Sequence, residues 1–119
     1  QSQYDALIAP VSVALTDDDA SGVTADLLNG TAGDDVFTAT NATLDDTDVI
    51  SDGSSTDNDS LNITTSAGLT ASANGATVVG IENINITYTG FAAVSHELDN
   101  IQSGAVTVVN SQVGASGNT

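Results

Sequence analysis

The sequence predicts an all-β chain coiled into a β-solenoid, and three observations carry that reading. Its bulky apolar residues are almost entirely Val, Ile and Leu, with two Tyr, two Phe and no Trp or Met, and together with Thr these favour strands. Short runs of them alternate with segments of Gly, Asn, Asp and Ser, the punctuation of strands and turns. Four runs begin at residues 36, 61, 84 and 106, separated by 25, 23 and 22 residues. A period of roughly 20 to 30 residues is what one rung of a solenoid requires. The alternative is an antiparallel β-sandwich, whose strands recur every 8 to 12 residues or so, making every second strand fit the same spacing.

Taken in order, residues 1–15 read as a linker or leading strand and residues 16–119 as a β-solenoid segment, part of a larger chain. Gln1 to Pro10 is a short helix or a linker, and Pro10 prevents any helix from continuing. Val11-Ser12-Val13-Ala14-Leu15 alternates strictly and predicts a strand, closed by the acidic turn Thr16-Asp17-Asp18-Asp19. A glycine-bearing turn over Leu28 to Asp35 leads into the strand Val36-Phe37-Thr38-Ala39, and a second acidic turn over Asp45 to Ser60 lies between short apolar segments. Leu61-Asn62-Ile63-Thr64, Ile84-Asn85-Ile86-Thr87 and Val106-Thr107-Val108-Val109 complete the series. In a stack of such rungs apolar residues meet inside, while Asn and Thr form ladders at corners or outside.

At 119 residues the chain is one domain by size, with an apolar fraction of 39% that is rich in Ala, so its core is thin. It has no Lys or Arg and 16 Asp and Glu, for a net charge of −16, and half of those carboxylates lie between Asp34 and Asp59. Self-repulsion of that size calls for counter-charge from outside the chain. The same charge excludes phosphate-neutralising nucleic-acid binding and disfavours anionic membranes. No apolar run approaches the length of about 20 residues that crosses a bilayer, and the start lacks the basic region of a secretory signal. Opening on Gln1 and closing on Ser116-Gly117-Asn118-Thr119, the sequence reads as an excerpt of a longer chain. Without Cys, disulfides and thiolate metal sites are absent, leaving oxygen ligands, which suit hard cations.

Leu28-Asn29-Gly30-Thr31-Ala32-Gly33-Asp34-Asp35-Val36-Phe37 combines two glycines, two adjacent carboxylates and a strand start. Glycine lets the backbone turn its carbonyls inward while Asp34 and Asp35 supply charged oxygens. The second cluster holds Asp45, Asp46, Asp48, Asp52, Asp57 and Asp59. Calcium takes six to eight oxygens, so two such turns side by side would share one ion. Solvated Asx turns are the plain alternative for any single Asp. Asp48, Asp52, Gly53 and Asp59 imitate an EF-hand loop, but Ile50 stands where an oxygen ligand is required and no Glu closes the loop. Asp57-Asn58-Asp59 is similar to the acidic interdomain motif of cadherin-like modules. Glu82 is a ligand or an outward corner carboxylate, and Asp17 to Asp19 a weak site or a solvated turn. His96, beside Glu97 and near Asp99, lacks the nucleophile or second His of a catalytic group, and the chain reads as no enzyme. The Asn-x-Ser/Thr sequons at Asn29, Asn41, Asn58, Asn62 and Asn85 are what an Asn- and Thr-rich chain produces by chance.

Asn29 to Phe37 resembles the "GTxGDDxF" segment of secreted bacterial surface-layer and RTX-type calcium-binding proteins. Asp48 to Gly53 followed by Asp57 to Ile63 is similar to their "DxIDGGxGxDxLNI" segment, and Gly80 to Ile86 resembles their "GIExxNV" strand. The resemblance covers about half the chain. It implies a right-handed parallel β-helix with Ca2+ between turns, type I secretion, and self-assembly on the outer surface of a bacterium, with cell-surface polysaccharide as a possible anchor. By position it gives carbonyl ligands at Gly30, Thr31 and Gly33 and carboxylate ligands at Asp35, Asp48, Asp52 and Asp59, to which the acid-rich turns add Asp34, Asp46 and Asp57. Ser54, Ser55 and Asp57 replace glycines of the nonapeptide pattern, and the second turn is longer by two residues.

Overall fold

A strand that alternates apolar and polar side chains buries only one face, and stacking coil upon coil lets each coil cover the next. The computed structural model describes residues 10–16, 25–54, 56–70, 74–97, 101–102 and 104–110. The readings made on Gln1 to Ala9, Asp17 to Asp19, Asp99 and Ser116 to Thr119 lie outside the described residues. The chain is a parallel β-solenoid of about four turns. Its strands are β1 (Ser12–Ala14), β2 (Leu27–Asn29), β3 (Val36–Thr40), β4 (Val49–Ser51), β5 (Ser60–Thr65), β6 (Thr77–Val79), β7 (Asn83–Tyr88) and β8 (Ala105–Asn110).

Odd-numbered strands and the last one form a five-stranded sheet in the order β1-β3-β5-β7-β8, while β2-β4-β6 form a second sheet of three. Every pairing between these strands is parallel, which removes the antiparallel sandwich. In the larger sheet the register places Val13, Phe37, Leu61, Ile84 and Val106 in one column, and Ala39, Ile63, Ile86 and Val108 in a second. Leu28, Ile50 and Val78 form the facing column of the smaller sheet, which Ile101 extends through an isolated bridge to Val78. Phe37, Ile50, Leu61 and Ile84 are wholly buried among these columns. Burying one such side chain stabilises by about 1.5–3 kcal/mol, so the columns are the main adhesive between coils.

Outward positions carry the expected polar ladders. Asn85 Nδ2 donates to Asn62 Oδ1 at 2.9 Å and Asn83 Nδ2 to Asn58 Oδ1 at 2.9 Å, each across one coil step. At the far end Val106 and Val108 continue the inner columns yet remain 45% and 46% exposed, because β8 is the edge strand and no further coil covers it among the described residues.

Candidate metal centre

Each coil turns from the smaller sheet into the larger one at a corner, and the acidic residues gather there. Asp35, Asp59 and Glu82 each stand one residue before β3, β5 and β7, so the solenoid register stacks them. Their main chains continue the ladder: Ser60 N donates to Asp35 O at 2.9 Å, Asn83 N to Asp59 O at 3.0 Å and Ala105 N to Glu82 O at 2.8 Å. Their side chains reach back along the stack. Val11 N donates to Asp35 Oδ1 at 2.7 Å, Asp35 N to Asp59 Oδ1 at 2.8 Å and Asp59 N to Glu82 Oε2 at 2.9 Å. A carboxylate receiving an amide hydrogen is a satisfied cap; Asp35 is capped on both oxygens, its Oδ2 taking the Thr31 amide, whereas the cap on Asp59 leaves Oδ2 without a donor.

Asp52 enters the same corner from the preceding turn. It sits between Gly30 and Gly80 in the stack, with Gly30 N bonded to Ser51 O and Asp52 N to Val79 O. Gly80 is sterically required, and Gly30 leaves open the space into which two carboxylates reach. A Cβ at Gly30 would lie 2.5 Å from Asp52 Oδ1 and 2.6 Å from Asp35 Oδ2, so two carboxylates converge on bare backbone. Gly80 has φ of 77°, and a Cβ there would overlap the Asp52 carbonyl oxygen.

Two triads result. Asp35, Asp52 and Asp59, all buried, bring one oxygen each within 4.8 Å of one another, and so do Asp57, Asp59 and Glu82. At an effective dielectric of about 20, two like charges at 4.8 Å repel by about 3.5 kcal/mol. The chain holds no Lys or Arg to relieve this. Burial, chiefly, raises Asp59 to a pKa of about 6, with Asp57, Asp52 and Asp35 adding repulsion against the help of the Asp35 amide. Burial likewise raises Asp52, with Asp57, Asp35 and Glu82 adding to it against the Ser54 amide. Both oxygens of Asp57 and Oδ2 of Asp59 are shielded from solvent without any hydrogen-bond donor. Orphaned buried acceptors cost about 1–3 kcal/mol each, more when charged, unless something positive meets them.

A second acidic ladder shows what a purely structural arrangement looks like. Asp26 and Asp48 precede β2 and β4, and Asp48 accepts from Asp26 N at 2.9 Å on Oδ1 and from Asp45 N at 2.8 Å on Oδ2. Asp26 in turn accepts Thr16 N at 2.6 Å and Thr16 Oγ1 at 3.0 Å. Both oxygens of each carboxylate are used, and Ala76 ends the series before β6.

The structure therefore sorts the sequence-predicted residues. Asp35, Asp52, Asp57 and Asp59 come together, whereas Asp48 belongs to the satisfied ladder. Asp46 is exposed on the turn before β4, and exposed Asp34 accepts Asn58 N at 2.9 Å on the outside. Thr31 serves the site through hydrogens: its amide and its hydroxyl both donate to Asp35, and Gly33 N donates to the Thr31 hydroxyl at 3.1 Å. Glu82 joins the cluster and caps Asp59 at the same time. Its signal was spacing, since Asp35, Asp59 and Glu82 recur at the coil period immediately before a strand. His96 is engaged elsewhere, its Nδ1 accepting Leu69 N at 3.2 Å and its ring edge-on to Tyr88 at 5.9 Å.

The donor set is all-oxygen and anionic, which fits a hard divalent cation. Oxygens within 4.8 Å of one another span the coordination sphere of one calcium ion, whose bonds are about 2.3–2.6 Å. No family model, curated protein or solved structure matches this chain.

Proposed function

We propose that this chain is a structural β-solenoid segment of an extracellular protein surface layer on a bacterial cell, stabilised by calcium bound at the acidic corner. One observation carries the cation reading: buried carboxylate oxygens on Asp57 and Asp59 have no donor, in a chain without Lys or Arg. Asp35, Asp52, Asp57, Asp59 and Glu82 supply ligands, Gly30 keeps the space clear, and Thr31 fixes Asp35. Extracellular calcium modules bind with dissociation constants on the order of 10⁻⁴ to 10⁻³ M, so such a segment stays loose inside the cell and tightens outside.

Assembly with further copies is part of the same proposal. The outward positions of the larger sheet carry Ser, Thr, Asn, Ala and Val and no carboxylate, in a chain of charge −16. Copies approaching through that face avoid the strongest repulsion. The surface-layer assignment also draws on the motif resemblance over Asn29 to Ile86, and a polysaccharide anchor on that resemblance alone. Isothermal titration with calcium chloride tests the ion, and negative-stain microscopy with and without calcium tests the layer. A chain that takes up no calcium at millimolar concentration ends the cation reading, and one that binds calcium yet stays monomeric at high concentration ends the assembly reading.

A further inference from the structure

We infer that the corner holds two divalent cations, with Asp59 shared between them and Glu82 a ligand of the second. This rests on the cation reading above and adds a second site to it. The triads Asp35, Asp52, Asp59 and Asp57, Asp59, Glu82 overlap at Asp59 alone. Within each, the oxygens lie no more than 4.8 Å apart, and two oxygens on one calcium at 2.3–2.6 Å are separated by at most about 5 Å.

Each triad has its own reason to be filled. In the first, Asp35 Oδ2 and Asp52 Oδ1 converge on the bare backbone of Gly30, where even a methyl carbon would come within 2.6 Å of both. An ion there leaves Asp57 unserved, since Asp57 is absent from that triad. In the second, both Asp57 oxygens and Oδ2 of the wholly buried Asp59 lack hydrogen-bond donors. An ion confined to that triad leaves Asp35 and Asp52 facing each other without counter-charge.

Charge points the same way. The five side chains carry −5 when ionised, which one divalent ion reduces to −3 and two reduce to −1. Asp59 is suited to sharing because it is central in sequence order along the stack. Its carboxylate accepts the Asp35 amide of one neighbouring coil while its own amide donates to Glu82 of the other. The first ion lowers the negative charge that meets the second, so the second binds more weakly than the first.

Native mass spectrometry with calcium acetate, counting ions on the folded chain, tests this. The double substitution Asp57→Asn with Glu82→Gln should lose one ion and keep the other, and Asp35→Asn with Asp52→Asn should do the same, with the unmodified chain binding one more than either. If both doubles lose the same single ion and together account for only one, the shared pair is refuted while the cation reading stands. If neither loses any, both fall. Should a double fail to fold, anomalous diffraction from crystals of the unmodified chain in calcium decides: two peaks flanking Asp59, on the order of 4 Å apart, support the pair, and one peak overturns it.

Discussion

Replacing Asp59 with Asn should change stability in opposite directions depending on calcium. Without the ion, the ionised Asp59 carboxylate lies within 4.8 Å of oxygens on Asp35 and Asp52, and in its second triad within the same distance of Asp57 and Glu82. A single such contact costs about 3.5 kcal/mol at an effective dielectric of about 20, a ceiling that solvent near Asp57 and Glu82 lowers. Asn is nearly isosteric. Its Oδ1 keeps the 2.8 Å bond from Asp35 N, and its amide hydrogens occupy the place of the orphaned Oδ2 among acceptors. The ion-free variant should therefore gain about 2 kcal/mol, or about 1 M in urea midpoint for a slope of about 2 kcal/mol/M. With calcium at about 100 times its dissociation constant, the unmodified chain gains about 2.7 kcal/mol per ion by mass action. The variant forfeits most of that and becomes the less stable of the two. Urea unfolding followed by far-UV circular dichroism, in EDTA and in 10 mM calcium, reads both signs. Loss of stability by the variant in EDTA as well would refute the argument, since it would make Asp59 an ordinary backbone cap.

Further outcomes follow from the same geometry. Gly30→Ala should raise the calcium dissociation constant at least tenfold in a titration, because its methyl meets Asp52 and Asp35 oxygens at 2.5 and 2.6 Å. Gly80→Ala should cost about 3 kcal/mol whether or not calcium is present, since φ of 77° and the Asp52 carbonyl both oppose a side chain there. Asp59 has a folded pKa of about 6 against 3.8 in a free chain, so the folded form binds its proton more tightly. Ion-free protein should thus lose stability as pH rises from about 4 through 6, whereas calcium-loaded protein should lose its extra stability as pH falls through 6; thermal midpoints at pH 5, 6 and 7.5 check the opposite slopes. Ile84→Ala, in the buried column, should cost about 3–4 kcal/mol by urea unfolding, and Val106→Ala, 45% exposed, under about 1 kcal/mol, neither depending on calcium.

The larger sheet was legible because its strands from β3 onward run five or six residues and alternate, so two or three inward side chains per strand announce the period. The smaller sheet was not. Leu27–Asn29, Val49–Ser51 and Thr77–Val79 have three residues each, with a single inward Leu28, Ile50 or Val78, too short to show alternation. That gap also hid the corner. Asp48 and Asp52 flank one short strand and look alike in sequence, yet they sit at its opposite ends, one in a satisfied ladder and one in the cluster. Glu82 reads equally as a ligand or an outward corner carboxylate until the stacking places it beside Asp57 and Asp59. Composition makes one point that no folding can change, since no arrangement of this chain supplies Lys or Arg to meet its carboxylates.

The most direct measurement is the urea midpoint of the unmodified chain as free calcium is raised from chelated levels to 10 mM, with magnesium as a parallel series. A midpoint that climbs with the logarithm of calcium, and far less with magnesium, is the predicted result. Superimposable unfolding curves in EDTA and in 10 mM calcium would contradict a fold whose buried carboxylates are neutralised by bound ions.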